Sequence, residues 1–198
     1  MALKSFSALC VFCGSNSGAD PAYAYGARAM GQLLACRGIT VVFGGGRAGL
    51  MGALADAALA AGGRVIGVIP EGLRRREVAH EGLSELHVVH TMHERKQLMA
   101  DLSDGFIAMP GGFGTFEEFC EVLTWSQLGL HAKPCGLLNL KGYYAGLLAL
   151  FDHAVAEELL HRPNRAMVIA EAEPKALLDA MAQYRAPAVE KWLTPETT

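Results

Sequence analysis

The sequence predicts an α/β protein in which a doubly wound, mostly parallel β-sheet carries helices on both faces. Short, uniformly apolar runs alternate along the chain with longer segments whose apolar residues recur at helical spacing. Uniformly apolar strands are typical of parallel sheets buried on both faces, because such sheets are covered by the connecting helices. The 198 residues are enough for one such domain with a buried core.

The strands and helices follow in order from this alternation. Strands are expected near residues 6–12, 39–43, 64–69, 86–89, 105–109, 134–139 and 167–170, and helices near 21–37, 48–61, 92–102, 116–128, 143–159 and 174–184. Asp20 before Pro21 is a typical helix start, and Gly38 and Gly62 suit helix ends. We expect a single domain over residues 1–185 and a C-terminal tail over 186–198.

Composition excludes several classes of function. A net charge of −3 gives no electrostatic reason to expect nucleic-acid binding. Apolar runs stay shorter than a membrane span, and the first residues do not resemble a signal peptide, so we expect a cytoplasmic protein without membrane attachment. The number of cysteines is odd, and Cys10 and Cys13 lie three apart on a strand, so they face opposite sides. We expect reduced core thiols instead of a metal or redox pair.

Three glycine-containing loops follow predicted strands, over residues 13–18, 44–49 and 110–115. In doubly wound sheets, ligands bind beyond the carboxyl ends of the strands, so the three loops are expected to form one cleft. Gly44-x-Gly46-x-x-Gly49 has the spacing of a dinucleotide fingerprint, but an isolated match is weak evidence. The third strand does not end in an acidic residue that could hold a ribose, and we do not expect NAD binding.

The segment from Pro110 to Glu118 carries the most information about chemistry. Its glycines fall at a strand-to-helix turn, where unpaired backbone N–H groups and the helix dipole favour an anion such as phosphate. Glu118 places a carboxylate close to that anion. Thr115-x-x-Glu118 also fits a capping box, with Thr115 as the cap of a helix that begins at residue 116. The two interpretations of Glu118 are compatible.

Basic residues at two places could bind the anionic ligand. Arg95 and Lys96 begin a predicted helix, where two cations oppose the dipole unless an anion offsets them; Arg95 is expected to face the cleft and Lys96 could be exposed. The run Arg74-Arg75-Arg76-Glu77 is either a solvated surface or a phosphate or purine contact. His87, His90 and His93 cannot share a metal on a strand, and we expect no metal.

These residues together resemble the Lonely Guy family, the cytokinin riboside 5′-monophosphate phosphoribohydrolases that are often misnamed lysine decarboxylases. The resemblance covers nearly the whole chain. It includes Pro110-Gly111-Gly112-x-Gly114-Thr115-x-x-Glu118, Phe12-Cys13-Gly14-Ser15, Gly44-Gly45-Gly46-x-x-Gly49-Leu50-Met51-Gly52, Arg76-Glu77, Met92-x-x-Arg95-Lys96, Thr124-Trp125-Ser126-Gln127-Leu128-Gly129, Lys133-Pro134 and Asn139-x-x-Gly142-Tyr143-Tyr144. The proline often found before the matched Arg76 is replaced by Arg75.

The resemblance implies a Rossmann-like homodimer that hydrolyses the N-glycosidic bond of a nucleoside 5′-monophosphate without a cofactor. Arg95 and Glu118 match the catalytic pair. The positions that match substrate contacts are Arg76, Glu77, Lys96, Gly112, Phe113, Gly114, Thr115, Phe116, Glu117 and Thr124. The cleft loops and the helix start add Ser15, Gly45, Gly46, Met92 and Gly111. Two alternatives stay open: a general AMP nucleosidase, and a nucleotide-binding or carrier protein without turnover.

Overall fold

The structure, a computed structural model, describes residues 5–74 and 79–187. Seven strands form one sheet in the order β4-β3-β2-β1-β5-β6-β7. They are β1 (Ala8–Phe12), β2 (Thr40–Phe43), β3 (Val65–Pro70), β4 (Glu85–Val89), β5 (Phe106–Ala108), β6 (Cys135–Leu138) and β7 (Val168–Glu171). Every pairing between these strands is parallel. The predicted α/β class and the parallel sheet are confirmed.

Helices connect the strands. They are α1 (Pro21–Cys36), α2 (Gly49–Ala60), α3 (Glu71–Arg74), α4 (Met92–Asp101), α5 (Phe113–Leu128), α6 (Ala145–Ala156), α7 (Arg162–Arg165) and α8 (Pro174–Gln183), with a 3₁₀ turn at Leu140–Gly142. Asp20 caps α1 as expected, because its side chain accepts from the N–H of Ala22 at 2.8 Å. Among the described helices, none is long and apolar enough to cross a membrane.

Two apolar cores lie on opposite faces of the sheet, so the sheet is doubly wound. Leu9, Val11 and Cys13 face the core formed with α1, α2 and α8. Cys10 faces the other core, which α4 and α5 cover. The alternation along β1 therefore separates Cys10 from Cys13 as predicted, and all five cysteines, each within the described ranges, are free thiols.

The order of the strands fixes where a ligand can bind. From β1 the chain moves outward through β2 and β3 to β4, and then returns to β5 on the other side of β1. The connections therefore leave β1 and β5 toward opposite faces, and a crevice opens beyond their carboxyl ends.

Some predicted boundaries were wrong. The helix expected from residue 116 begins at Phe113. The helix expected over 143–159 is α6, which is shorter at both ends, and Glu158 just beyond it is in the left-handed region. Helix α3 was not predicted. Arg76 and Glu77, and the tail from residue 188, lie outside the described residues.

Candidate active site

A cleft with a cavity volume of about 320 Å³ opens at the predicted edge of the sheet, beyond β1, β2 and β5. All three glycine loops meet there. The N–H of Gly14 donates to the carbonyl of Pro110 at 3.0 Å, and the N–H of Leu50 donates to the carbonyl of Gly14 at 3.0 Å. The cleft is lined by Val11, Phe12, Cys13, Gly14, Ser15, Gly44, Met51, Leu73, Met92, Arg95, Met99, Gly112, Phe113, Gly114, Thr115, Glu117 and Glu118.

The N-terminus of α5 forms one wall of this cleft. Gly112 is the N-cap residue and has no side chain to bond the N–H groups of the first turn. A Cβ atom added at Gly112 or Gly114 would meet no described atom within 4 Å. The packing of the described residues therefore does not require glycine at these two positions. Their bare backbone instead leaves the helix N-terminus open to a ligand, as an anion site needs.

The predicted capping box at Thr115 and Glu118 was wrong. Thr115 is the third residue of α5 and is buried, and a Cβ atom at Gly111 would lie only 2.1 Å from its Oγ1 atom. Glu118 lies in the second turn, beyond reach of a cap. The helix begins three residues earlier than predicted, with Gly112 as its N-cap residue, and its first turn lines the cleft.

Two consecutive tyrosines hold the glycine turn from behind. The hydroxyl of Tyr143 donates to the carbonyl of Gly111. The buried hydroxyl of Tyr144 donates to the carbonyl of Met109 at 2.6 Å, and burial raises the pKa of Tyr144, so this donor stays protonated. Asn139 accepts from the N–H of Tyr144 at 2.7 Å. These residues belong to the matched family pattern, but their role depends on contacts between β5 and β6 that the sequence does not show.

Arg95 reaches the cleft from α4. Its side chain is buried, with only 5% of the residue exposed. Its Nη2 atom donates to the carbonyl of Gly44 at 3.2 Å, and its Nη1 atom lies 3.8 Å from the Sδ atom of Met92. Helix α4 itself begins with a capping box between Thr91 and Glu94, which fixes the first turn and with it the position of Arg95.

Glu118 lines the cleft beside the end of β1. Burial first, and the negative charge of Glu118 second, raise the pKa of the Cys10 and Cys13 thiols, while Arg95 acts on Cys10 in the opposite direction. The two charged groups of the predicted catalytic pair are thus both within electrostatic reach of the same strand. Cys10 and Cys13 are neutral thiols and contribute no thiolate to the cleft.

Lys96 does not line the cleft cavity, and it is not exposed either. Its Nζ atom lies 2.5 Å from Glu117 and 2.9 Å from Glu121, so it joins α4 to α5. Partial burial opposes the charged form, but the two carboxylates prevail and raise the pKa of Lys96. In this structure the residue positions two helices relative to each other.

Other residues that matched substrate contacts lie at different distances from the cavity. Phe116 packs edge-on against Tyr144 in the core, with ring centroids 6.2 Å apart. Thr124 lies further along α5, bonds the carbonyl of Cys120 and lines an apolar groove beside α6 and α7. Gly45 and Gly46 support the rim, where the carbonyl of Gly45 accepts from the N–H of His80 at 2.9 Å and Gly46 pairs with Ala79.

The sequence analysis missed the apolar part of the cleft. Met51, Leu73 and Met99 line it from three different helices. Met51 and Met99 occupy helical positions that are equally typical of a core, so spacing alone cannot assign them to a cavity. Leu73 belongs to the short helix α3, which the sequence pattern did not reveal.

A doubly wound α/β protein with a glycine-lined cleft at its switch point belongs to the class that binds small ligands there. The family model described as "Possible lysine decarboxylase" matches residues 51–181. A cytokinin riboside 5′-monophosphate phosphoribohydrolase of Rhodococcoides fascians is 52% identical over 178 residues, which cover 89% of this chain and 88% of the relative. An enzyme of the same name from Arabidopsis thaliana is 45% identical, over 91% of this chain and 85% of the relative. The chain belongs to this family, and the Lonely Guy resemblance is confirmed.

Solved structures support the fold. The molybdenum cofactor carrier protein of Chlamydomonas reinhardtii superposes with a TM-score of 0.70 at 21% identity, covering 90% of this chain and 98% of that chain. The molybdenum cofactor binding protein of Rippkaea orientalis gives a TM-score of 0.66 at 22% identity, covering 90% and 97%. At this level of sequence identity, the structural similarity shows a shared fold and nothing more.

Proposed function

We propose that this protein is a phosphoribohydrolase that cleaves the N-glycosidic bond of N6-modified adenosine 5′-monophosphates, releasing the free base and ribose 5-phosphate. The observation that carries the proposal is one cavity that contains an open helix N-terminus, a carboxylate and a buried arginine. The names of the relatives at 45–52% identity support the same reaction. We further propose that residues 1–185 act as one catalytic domain, in a cytoplasmic homodimer.

Each part of the cleft matches one requirement of the reaction. Breaking the bond between C1′ and the base nitrogen builds positive charge on the sugar and leaves the electron pair on the base. Glu118 can stabilise the cationic sugar and orient the attacking water. Arg95 can stabilise the departing base by hydrogen bonds, although its high pKa makes it a poor proton donor. The N–H groups of α5 can hold the phosphate, so that a remote group positions the reacting one.

The family description suggests a different reaction, a decarboxylation of lysine, but the site gives it little support. Amino-acid decarboxylases commonly bind their pyridoxal cofactor through a lysine. Among the described lysines, Lys96, Lys141 and Lys175 are ion-paired and Lys133 donates to the carbonyl of Ala100. None of these four lines the cleft.

The experiment is incubation of the protein with AMP, with isopentenyladenosine monophosphate and with adenosine, followed by chromatography of the released base. We expect both monophosphates to be cleaved. AMP should be cleaved about a thousandfold faster than adenosine, because adenosine has no phosphate to accept several charge-assisted hydrogen bonds. Faster release from the isopentenyl compound favours the cytokinin-activating reaction, and faster release from AMP favours a general AMP nucleosidase. Binding of AMP without release of base would support the carrier alternative.

A further inference from the structure

The guanidinium of Arg95 occupies the space in which a side chain at position 44 would begin. A Cβ atom added to Gly44 would lie 1.9 Å from the Nη2 atom of Arg95 and 3.1 Å from its Cζ atom. The next nearest atom, Sδ of Met51, is at an ordinary contact distance of 3.6 Å. Position 44 therefore has room for alanine in every direction except the one that Arg95 fills.

Backbone conformation does not explain the glycine. Gly45, the next residue, has a φ of 76°, a left-handed conformation that favours glycine. Gly44 is not among the described residues with positive φ. The backbone at position 44 could therefore carry a side chain, but the guanidinium of Arg95 occupies the space that its Cβ atom would need.

The same residue also supplies a hydrogen-bond acceptor. The carbonyl of Gly44 accepts from Nη2 at 3.2 Å, and the second described contact of the guanidinium is the weakly accepting Sδ atom of Met92 at 3.8 Å. An arginine side chain has many rotamers, and ordering it needs specific contacts. Gly44 therefore limits where the guanidinium can lie in two ways, through an open space and through a fixed acceptor.

We propose that Gly44 is a positioning residue for Arg95, which holds the guanidinium at the place where the leaving base develops negative charge. This inference rests on the proposed function, since it assigns Gly44 a part in that reaction. Alanine at position 44 displaces the end of a flexible side chain and leaves the backbone in place. Because a displacement of about 1 Å in a catalytic group can cost up to a hundredfold in rate, we expect a large effect on turnover and a small one on folding.

The test is a double-mutant cycle with Gly44→Ala and Arg95→Ala. In the parent, Gly44→Ala is expected to lower kcat about tenfold to a hundredfold with little change in melting temperature. In the Arg95→Ala background, where no guanidinium remains to be displaced, it is expected to change kcat less than about twofold. Gly146→Ala is the matched control, because Gly146 is exposed on α6 with no described atom within 4 Å of an added Cβ. Its activity should equal that of the parent.

A second measurement separates this inference from the proposed function. The Nε–H resonance of Arg95 in NMR spectra of the ligand-free protein is expected to shift in Gly44→Ala and to stay unchanged in Gly146→Ala, whatever reaction the protein catalyses. A shifted resonance in a protein that hydrolyses no nucleotide would overturn the proposed function and keep the positioning of Arg95. Parental turnover in Gly44→Ala, equal losses in both backgrounds, or an unshifted resonance would each overturn the positioning role.

Discussion

At the scale of single residues, Arg95 and Glu118 differ in how the fold holds them. Arg95 is buried and contacts Gly44 and Met92, so the protein fixes its direction before any ligand arrives. Glu118 lies half-buried in the second turn of α5 and faces the cleft. Since Glu118 takes no part in a helix cap, its carboxylate is not needed to begin α5. A substitution of Glu118 can therefore test its role in catalysis without removing a helix cap.

Glu118→Gln tests that separation. The substitution keeps the size of the side chain and removes the charge that stabilises a cationic sugar, so turnover of the monophosphate is expected to fall about a hundredfold or more. AMP should still bind, because we expect the backbone N–H groups of α5, and not Glu118, to make the phosphate contacts. Melting temperature should change little. The measurements are kcat, AMP affinity and thermal unfolding.

Glu121→Gln is the matched control on the same helix. Its carboxylate contacts Lys96 and does not line the cleft, so turnover should stay within a few fold of the parent. Near-parental turnover in a well-folded Glu118→Gln protein would remove Glu118 from the mechanism.

Sequence reasoning located Arg95 better than it located Lys96 or Gly44. Consecutive helix residues point about 100° apart, so only one of Arg95 and Lys96 can face the cleft, and the docking of α4 on the sheet decides which. The contact between Gly44 and Arg95 joins two residues that are 51 positions apart in the chain. A local pattern cannot reveal such a contact.

At the scale of elements, the two Thr-x-x-Glu segments show what decides where a helix begins. Thr91-x-x-Glu94 forms the capping box, and Thr115-x-x-Glu118 does not, although the two fit the motif equally well. In the first turn of α4 the cap is present, and the N–H of Glu94 donates to Oγ1 of Thr91 at 3.1 Å. The first turn of α5 faces a cleft instead. The Thr-x-x-Glu motif predicts that a capping box can form, and the tertiary structure around each motif decides whether it does.

His131 contacts the second half of α5. One ring nitrogen, Nε2, bonds the carbonyl of Val122 at 2.9 Å, and the other accepts from the N–H of Lys133 at 3.1 Å, so the neutral ring satisfies both. Burial is the main cause that lowers the pKa of His131 to about 4, from an ordinary value of 6.5. The unfolded chain therefore binds this proton more tightly than the folded protein does.

Stability should consequently fall as the pH decreases. The contribution of His131 is fully present above pH 6.5 and is lost progressively between about 6.5 and 4; at pH 5 the loss is on the order of 2 kcal/mol. The measurement is the free energy of unfolding in denaturant at pH 7 and pH 5. His131→Gln should be less stable at pH 7 but show a smaller decrease on acidification. The variant His153→Gln, in an exposed histidine of α6, controls for the loss of a histidine as such; an unchanged decrease in His131→Gln would contradict the assignment.

At the scale of the whole molecule, the alternation of elements predicted the sheet and the position of the cleft. The three glycine loops meet as expected because parallel strands bring their carboxyl ends to one edge. The strand order was not predictable, since alternation does not say on which side of β1 a later strand adds. The short helices α3 and α7 were also not predicted, because each depends on a few residues without a periodic pattern.

One apolar surface of the described residues lies apart from the cleft, since no residue lines both cavities. A groove between α5, α6 and α7 is lined by Leu123, Thr124, Leu150 and Leu159 among others, and Leu150 and Leu159 are 59% and 85% exposed. Contiguous exposed apolar surface of this kind commonly marks a protein–protein contact. Twofold pairing through such a face is the commonest arrangement of soluble oligomers.

We expect the protein to be a homodimer that pairs through this groove, with Thr124 near the partner. Light scattering should give the mass of two chains, and Leu150→Asp should shift it toward one chain, because a charge in the centre of an apolar contact of about 800 Å² per partner is costly. Tyr25→Asp is the control: it changes an exposed aromatic residue on α1, across the sheet from the groove, and should leave the dimer intact. If Thr124 acts on the nucleotide across the interface, the Leu150→Asp monomer should also bind AMP more weakly. A parent protein that is monomeric at working concentrations and fully active would refute the dimer.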